Sequence, residues 1–140
     1  MAKYIKPTLQ TKYHIDFAWW QKAAQQLRSH LRGHVCEECQ GMLGEKPELF
    51  DWVHPETGEV FQIDMLWHCL YTKCAQDPDF INHRTPLMTA IFRVFIAGNN
   101  TPLTPVEIYS KLQRKSPELI MKTIGGRKVY QGIRPVGTTR

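Results

Sequence analysis

No apolar run in this 140-residue chain approaches the ~20 residues that a bilayer-crossing helix needs. The longest candidate, residues 90–97, is short and is interrupted by Arg93. The charged first residues, through Lys6 and Pro7, have no apolar stretch behind them, so they do not read as a secretory signal, and a cytoplasmic protein is expected. No Gly-rich phosphate loop, no Ser-His-Asp order and no paired catalytic carboxylate stands out, so nothing points to a familiar enzyme class. Repeats and low-complexity tracts are lacking too. At 42% hydrophobic and 22% charged residues, the composition is that of a globular chain and argues against wholesale disorder.

Acid is scarce in one place only. Residues 1–84 hold 9 Lys and Arg against 11 Asp and Glu, whereas residues 85–140 hold 9 against Glu107 and Glu118 alone. The overall charge of +5 therefore resides in the C-terminal part, which suggests a polyanionic partner for that end. A basic surface that is merely solvated is the competing reading.

Local signals divide the chain near residues 75–84, into an N-terminal module (1–84) and a basic C-terminal domain (85–140). The expected class is mainly α with small β-hairpins, an α+β protein. After an extended arm, Asp16 stands as the cap of a helix reaching about residue 31, with Trp20, Leu27 and Leu31 at the spacing of one face and Gly33 as its stop. Residues 50–63 place two strand-like runs around Pro55-Glu56-Thr57-Gly58, a hairpin signal. Asp64 then caps a helix to about Lys73. Trp19, Trp20, Trp52 and Trp67 supply the core of this half.

In the C-terminal part, Thr85-Pro86, Thr104-Pro105 and Ser116-Pro117 each announce a helix: the hydroxyl caps backbone N–H groups, and proline at the first helical position presets φ. Thr104 with Glu107 also fits a capping box. The three helices are expected over residues 86–97, 105–114 and 117–124. Leu119, Ile120 and Ile124 of the third are read as inward, and Gly125-Gly126 stops it. Residues 127–136 read as strand, with a tight turn at Gln131-Gly132.

Helix, helix, short turn, helix and basic strand resemble the winged-helix and helix-turn-helix DNA-binding domains over residues 85–136. That resemblance implies that the third helix enters the major groove while the strand segment rests on the backbone. Lys111, Arg114, Lys115, Lys122, Arg127, Lys128 and Arg134 would contact phosphate, and Thr123 would approach a base. DNA is expected over RNA, with a regulatory role. The third helix offers no Arg, Asn or Gln for bidentate base contacts, which argues against sharp sequence readout. Winged helices also serve as protein-interaction or assembly modules, so a protein partner or homodimer is the alternative.

Cys36-Glu37-Glu38-Cys39 has the spacing of a zinc knuckle. With the hairpin and helix that follow, and with Cys69 and Cys74, it resembles a treble-clef zinc finger over residues 34–74. The expected cofactor is a structural Zn2+ on Cys36, Cys39, Cys69 and Cys74. The last two are five apart, about 140° around a helix, so they converge only if the helix ends or unwinds before Cys74. His68 or His34 is the substitute for Cys69. In a reducing compartment an ion or simple burial is favoured over disulfides. A thioredoxin-type role is disfavoured because this CxxC follows a helix instead of heading one. His54, Asn82 and His83 raise an HNH-type nuclease, the least favoured reading, because no second histidine adjoins His54.

Overall fold

The computed structural model describes residues 6–137 apart from 23, 42, 43 and 45. It is the α+β protein expected, helices with two small antiparallel sheets. The order is β1 (Tyr13–Ile15), α1 (Phe17–Gln21), α2 (Ala24–Arg32), α3 (Glu37–Gly41), β2 (Leu49–Val53), β3 (Val60–Asp64), α4 (Met65–Thr72), a 3-10 turn (Cys74–Gln76), α5 (Leu87–Ala97), α6 (Pro105–Leu112), α7 (Pro117–Ile124) and β4 (Ile133–Pro135).

The local signals act where chemistry predicts. Asp16 accepts from the Ala18 amide and Asp64 from Leu66, capping α1 and α4. Thr104 and Glu107 form the reciprocal capping box of α6, and Ser116 accepts from Leu119 at the head of α7. The β2–β3 hairpin turns over residues 54–59, with Gly58 at φ 74°. Gln131 and Gly132 both have positive φ, and the Ile133 amide donates to the Tyr130 carbonyl, a tight two-residue turn.

Several expectations are corrected. The helix read across residues 17–31 is two: α1 ends at Gln21 and α2 begins at Ala24. Thr85 does not cap α5. Its hydroxyl accepts from the Asn82 amide in the preceding loop, and Pro86 takes the cap position. Helix α6 stops at Leu112, where Gln113 turns left-handed at φ 53°. Leu119 is not inward; it is 41% exposed, while Ile120 and Ile124 are buried. Of residues 127–136, only 133–135 are strand, and their partner is β1, at the other end of the chain.

One hydrophobic cluster runs through both halves. It joins Tyr13, Phe17, Trp20, Trp52 and Trp67 to Ile91, Phe92, Phe95, Ile108, Ile120 and Ile133. Helix α5 is buried on most of its surface and forms the centre. Its C-terminal corner carries the key polar contacts. Asn99 Oδ1 accepts from both Trp52 Nε1 (3.1 Å) and Trp67 Nε1 (2.9 Å). The buried Asn100 amide pairs with both backbone groups of Ile15, accepting from its N–H at 2.7 Å and donating to its carbonyl at 2.8 Å.

Asn100→Ala leaves two backbone groups of Ile15 buried without partners, at about 1–3 kcal/mol each. It also places alanine at φ 61°, which adds about 1 kcal/mol. The expected loss is about 3 kcal/mol or more in urea unfolding, and a change under about 1 kcal/mol would contradict this account.

Candidate metal centre and nucleic-acid interface

All four cysteines meet between α3, α4 and the 3-10 turn. Residues 69 and 74 converge because α4 ends between them: Lys73 is the C-cap, and its amide bonds back to the Cys69 carbonyl at 2.9 Å. Cys74 then sits in the tighter turn, where the chain no longer follows α-helical periodicity. The Cys36 amide donates to Cys74 Sγ at 3.2 Å, and the two Sγ atoms are also 3.2 Å apart. Cys39 and Cys69 are joined as a disulfide.

The sulfurs of Cys36, Cys39 and Cys74 all lie within 4.8 Å of one another, so this group could hold a metal ion. A tetrahedral zinc with bonds of about 2.3 Å spaces its sulfurs about 3.8 Å apart, the same scale. The disulfide and a metal compete for the same atoms, since a disulfide sulfur no longer offers a thiolate. Burial, the largest influence, raises the Cys74 thiol to about 11. The backbone at Cys39 and the Cys74 thiol lower that of Cys36. Arg93 is drawn electrostatically to Cys74 and puts positive charge beside a site that would be anionic with four thiolates.

The disulfide departs from the expectation of an ion or simple burial. The placement of the CxxC departs too: Cys36 follows α2 but also immediately precedes α3, so the pair heads a short helix. Of the two substitute ligands, His34 is engaged elsewhere. His34 Nδ1 accepts from Arg93 Nε at 3.1 Å, its Nε2 is 3.4 Å from His30 Nε2, and its ring stacks on Phe92. His68 is exposed, with its ring edge toward Phe50.

The eight residues expected at a nucleic-acid interface fall into two groups. Lys111, Lys115, Lys122, Arg127 and Lys128 are exposed, with Lys128 lying over the Tyr130 ring. Arg114, Thr123 and Arg134 make internal bonds. Arg114 donates to the Thr85 carbonyl at 2.6 Å, and the Thr123 hydroxyl donates to the Leu119 carbonyl. Arg134, its side chain 11% exposed, pairs with Asp16 at 3.2 Å.

The nuclease histidines do not share a cavity. His54 lines one of about 340 Å³ between β1, the hairpin and β4, whereas His83 and Asn82 line another with Lys111 and Arg114. His54 Nδ1 accepts from the amides of Glu56 and Thr57, so it is the turn residue its place before Pro55 suggested. Its Nε2 must then carry the proton and donate to His14 Nδ1 at 2.9 Å. Sequence reasoning did not find this histidine pair, because residues 40 apart give no local signal of meeting.

The chain matches no protein-family model, no curated protein and no solved structure. Among the described residues, no helix is long and apolar enough to cross a membrane.

Burial lowers His14 to about 4, with His54 and Arg134 adding to the effect and Asp16 and Glu56 opposing it. The unfolded chain takes up this proton near pH 6.5 and the folded chain only near 4. The stabilising effect is thus whole above pH 6.5 and is lost as pH falls through 4. Urea midpoints should drop across that window, and His14→Gln should flatten the slope. An equally steep profile in the variant would show that His14 is not responsible.

Proposed function

We propose that the protein is a non-enzymatic nucleic-acid-binding module, directed to DNA in preference to RNA and regulatory in role, with a structural zinc ion on Cys36, Cys39, Cys69 and Cys74. The observation that carries the binding reading is the set of exposed lysines on and after the last two helices: Lys111, Lys115, Lys122 and Lys128. Against them stand Glu118 and Glu107, and Glu107 already accepts from the Thr104 amide. The connection from α6 to the capped α7 spans only residues 113–116. This order of elements supports a helix-turn-helix use of α7. Arg114, Thr123 and Arg134 hold the frame, and the lysines meet phosphate. Without a bidentate base reader on α7, affinity follows phosphate neutralisation and depends little on sequence.

Binding to a short duplex should weaken steeply between about 50 and 200 mM salt. Replacing Lys111, Lys115, Lys122 and Lys128 by alanine should reduce the log–log salt slope by about 3 to 4, at about 0.9 per phosphate. An unchanged slope sinks the proposal.

One observation favours a protein partner instead: Val106 on α6 and Leu119 on α7 expose apolar side chains. A chain that binds no duplex at low salt, yet forms a homodimer that Leu119→Glu disperses, belongs to that reading.

Support for zinc comes from the three sulfurs of Cys36, Cys39 and Cys74 within 4.8 Å of one another, with Cys69 bonded to Cys39 and the end of α4 bringing Cys74 round. Reduced protein should carry about one zinc per chain by elemental analysis. Cys36→Ser or Cys39→Ser should lose most of it. Metal-free, reduced protein with undiminished thermal stability would remove the zinc.

A further inference from the structure

Outside the zinc reading, the cysteine cluster has a feature that a structural metal site does not require. One sulfur pair is already a disulfide, while the second pair remains as thiols at bonding approach: Cys36 and Cys74 have their Sγ atoms 3.2 Å apart. The two pairs are nested in sequence, 36 with 74 outside 39 with 69. Neither needs a change of partner for both bonds to exist together. The Cys36 amide bonded to Cys74 Sγ holds the outer pair in register. Cys36 is half-buried and Cys74 is buried, so an oxidant from solvent reaches Cys36 first.

We propose that Cys36 and Cys74 are a reversible oxidation site for a hydroperoxide-type two-electron oxidant, and that closing this second disulfide completes the expulsion of the metal. The proposal rests on the zinc reading for the reduced state. In the reaction, the Cys36 sulfur attacks a peroxide oxygen and the O–O bond breaks. One oxygen leaves as hydroxide, takes a proton and becomes water, and Cys36 becomes a sulfenic acid. The Cys74 sulfur then attacks the Cys36 sulfur, the S–O bond breaks, and the second oxygen leaves as water after protonation. Two thiolates, one peroxide and two protons give one disulfide and two waters. The Cys39–Cys69 bond forms with the same balance. Four thiolates thus consume two peroxides and four protons, and zinc leaves without changing its oxidation state.

Oxidation and metal binding are mutually exclusive because both use the same sulfur lone pairs. The fold is held in either state, since both link α3 to α4 and the turn after it. A thiol reductant of the dithiol class reverses the change by exchange at each disulfide.

The test uses the full chain, reduced without oxygen and loaded with zinc. Hydrogen peroxide is then titrated, with released zinc read by a chromogenic chelator and disulfides mapped by peptide mass spectrometry without reduction. The expected result is release of the bound zinc, complete at two equivalents of peroxide, with Cys36–Cys74 and Cys39–Cys69 peptides both found. Dithiothreitol should restore zinc uptake. Cys74→Ser should form the Cys39–Cys69 bond but no second disulfide, leaving Cys36 as a sulfenic acid that dimedone traps. Zinc retained after two equivalents, or Cys36 recovered as a sulfinic acid or a thiol, overturns the proposal and leaves the zinc reading standing. Reduced protein that takes up no zinc overturns both, and that outcome is seen before any peroxide is added.

Discussion

After the apolar turns of α5, the backbone passes twice through positive φ, at Asn99 and Asn100, and there the N-terminal half is tied to the end of this helix. Asparagine tolerates this conformation because its short polar side chain compensates locally. Here the compensation is long-range: Asn99 holds two indoles of the N-terminal half, and Asn100 stands in for a strand neighbour of Ile15. Buried amides and indoles without partners cost several kcal/mol, so the corner selects one arrangement of the core. The tryptophans supply apolar area, and the asparagines fix where it goes.

With Ile15 fixed, the rest of the first sheet follows. Strand β1 lies between Leu103, which bridges Tyr13 on one side, and β4 on the other. The Gln131-Gly132 turn docks on α1: Trp20 Nε1 donates to the Gln131 carbonyl, and the Gly132 carbonyl accepts from Asp16. A side chain at Gly132, already at φ 76°, would meet Trp20 Nε1 at 2.4 Å. The segment that resembles a wing is therefore clamped by the N-terminal strand and helix, and Arg134 serves this clamp through Asp16. This is why Arg134 is taken up in the clamp, while Lys111, Lys115, Lys122 and Lys128 stay exposed.

The parts legible in sequence were those whose physics is local. A cap needs a hydroxyl or carboxylate two or three residues from an amide, and Asp16, Asp64, Thr104 and Ser116 supply it. Hairpin turns need positive φ, and Gly58 and Gly132 announce it. The misses were cases where a distant partner prevailed. Thr85 carries the same Thr-Pro signal as Thr104, yet its hydroxyl serves the loop at Asn82. Leu119 fits the apolar spacing of α7 but lies beyond the reach of the core. The pairing of β4 with a strand over a hundred residues earlier has no local signature, nor has the meeting of His14 with His54. For the candidate site, the four cysteines were legible from spacing, and so was the condition that α4 end before Cys74. Which sulfurs pair was not, because it depends on how the hairpin folds back.

The position of the cysteine cluster has a consequence for stability. The Cys39–Cys69 link spans 30 residues, and closing a loop of that size stabilises a fold by about 3.5 kcal/mol through the unfolded chain. It encloses the whole β2–β3 hairpin, an element that two strands alone could scarcely hold. Once that loop is closed, linking Cys36 to Cys74 constrains only the short flanks beyond Cys39 and Cys69, so its entropic contribution is smaller. A second pair retained for chain entropy alone is therefore weakly motivated. Two further thiolates would instead complete the ligand set that the proposed zinc needs, joining α3, α4 and the turn after it through one ion. On the proposed zinc reading the outer pair would serve as ligands, and the inner pair supplies covalent closure where no metal is bound.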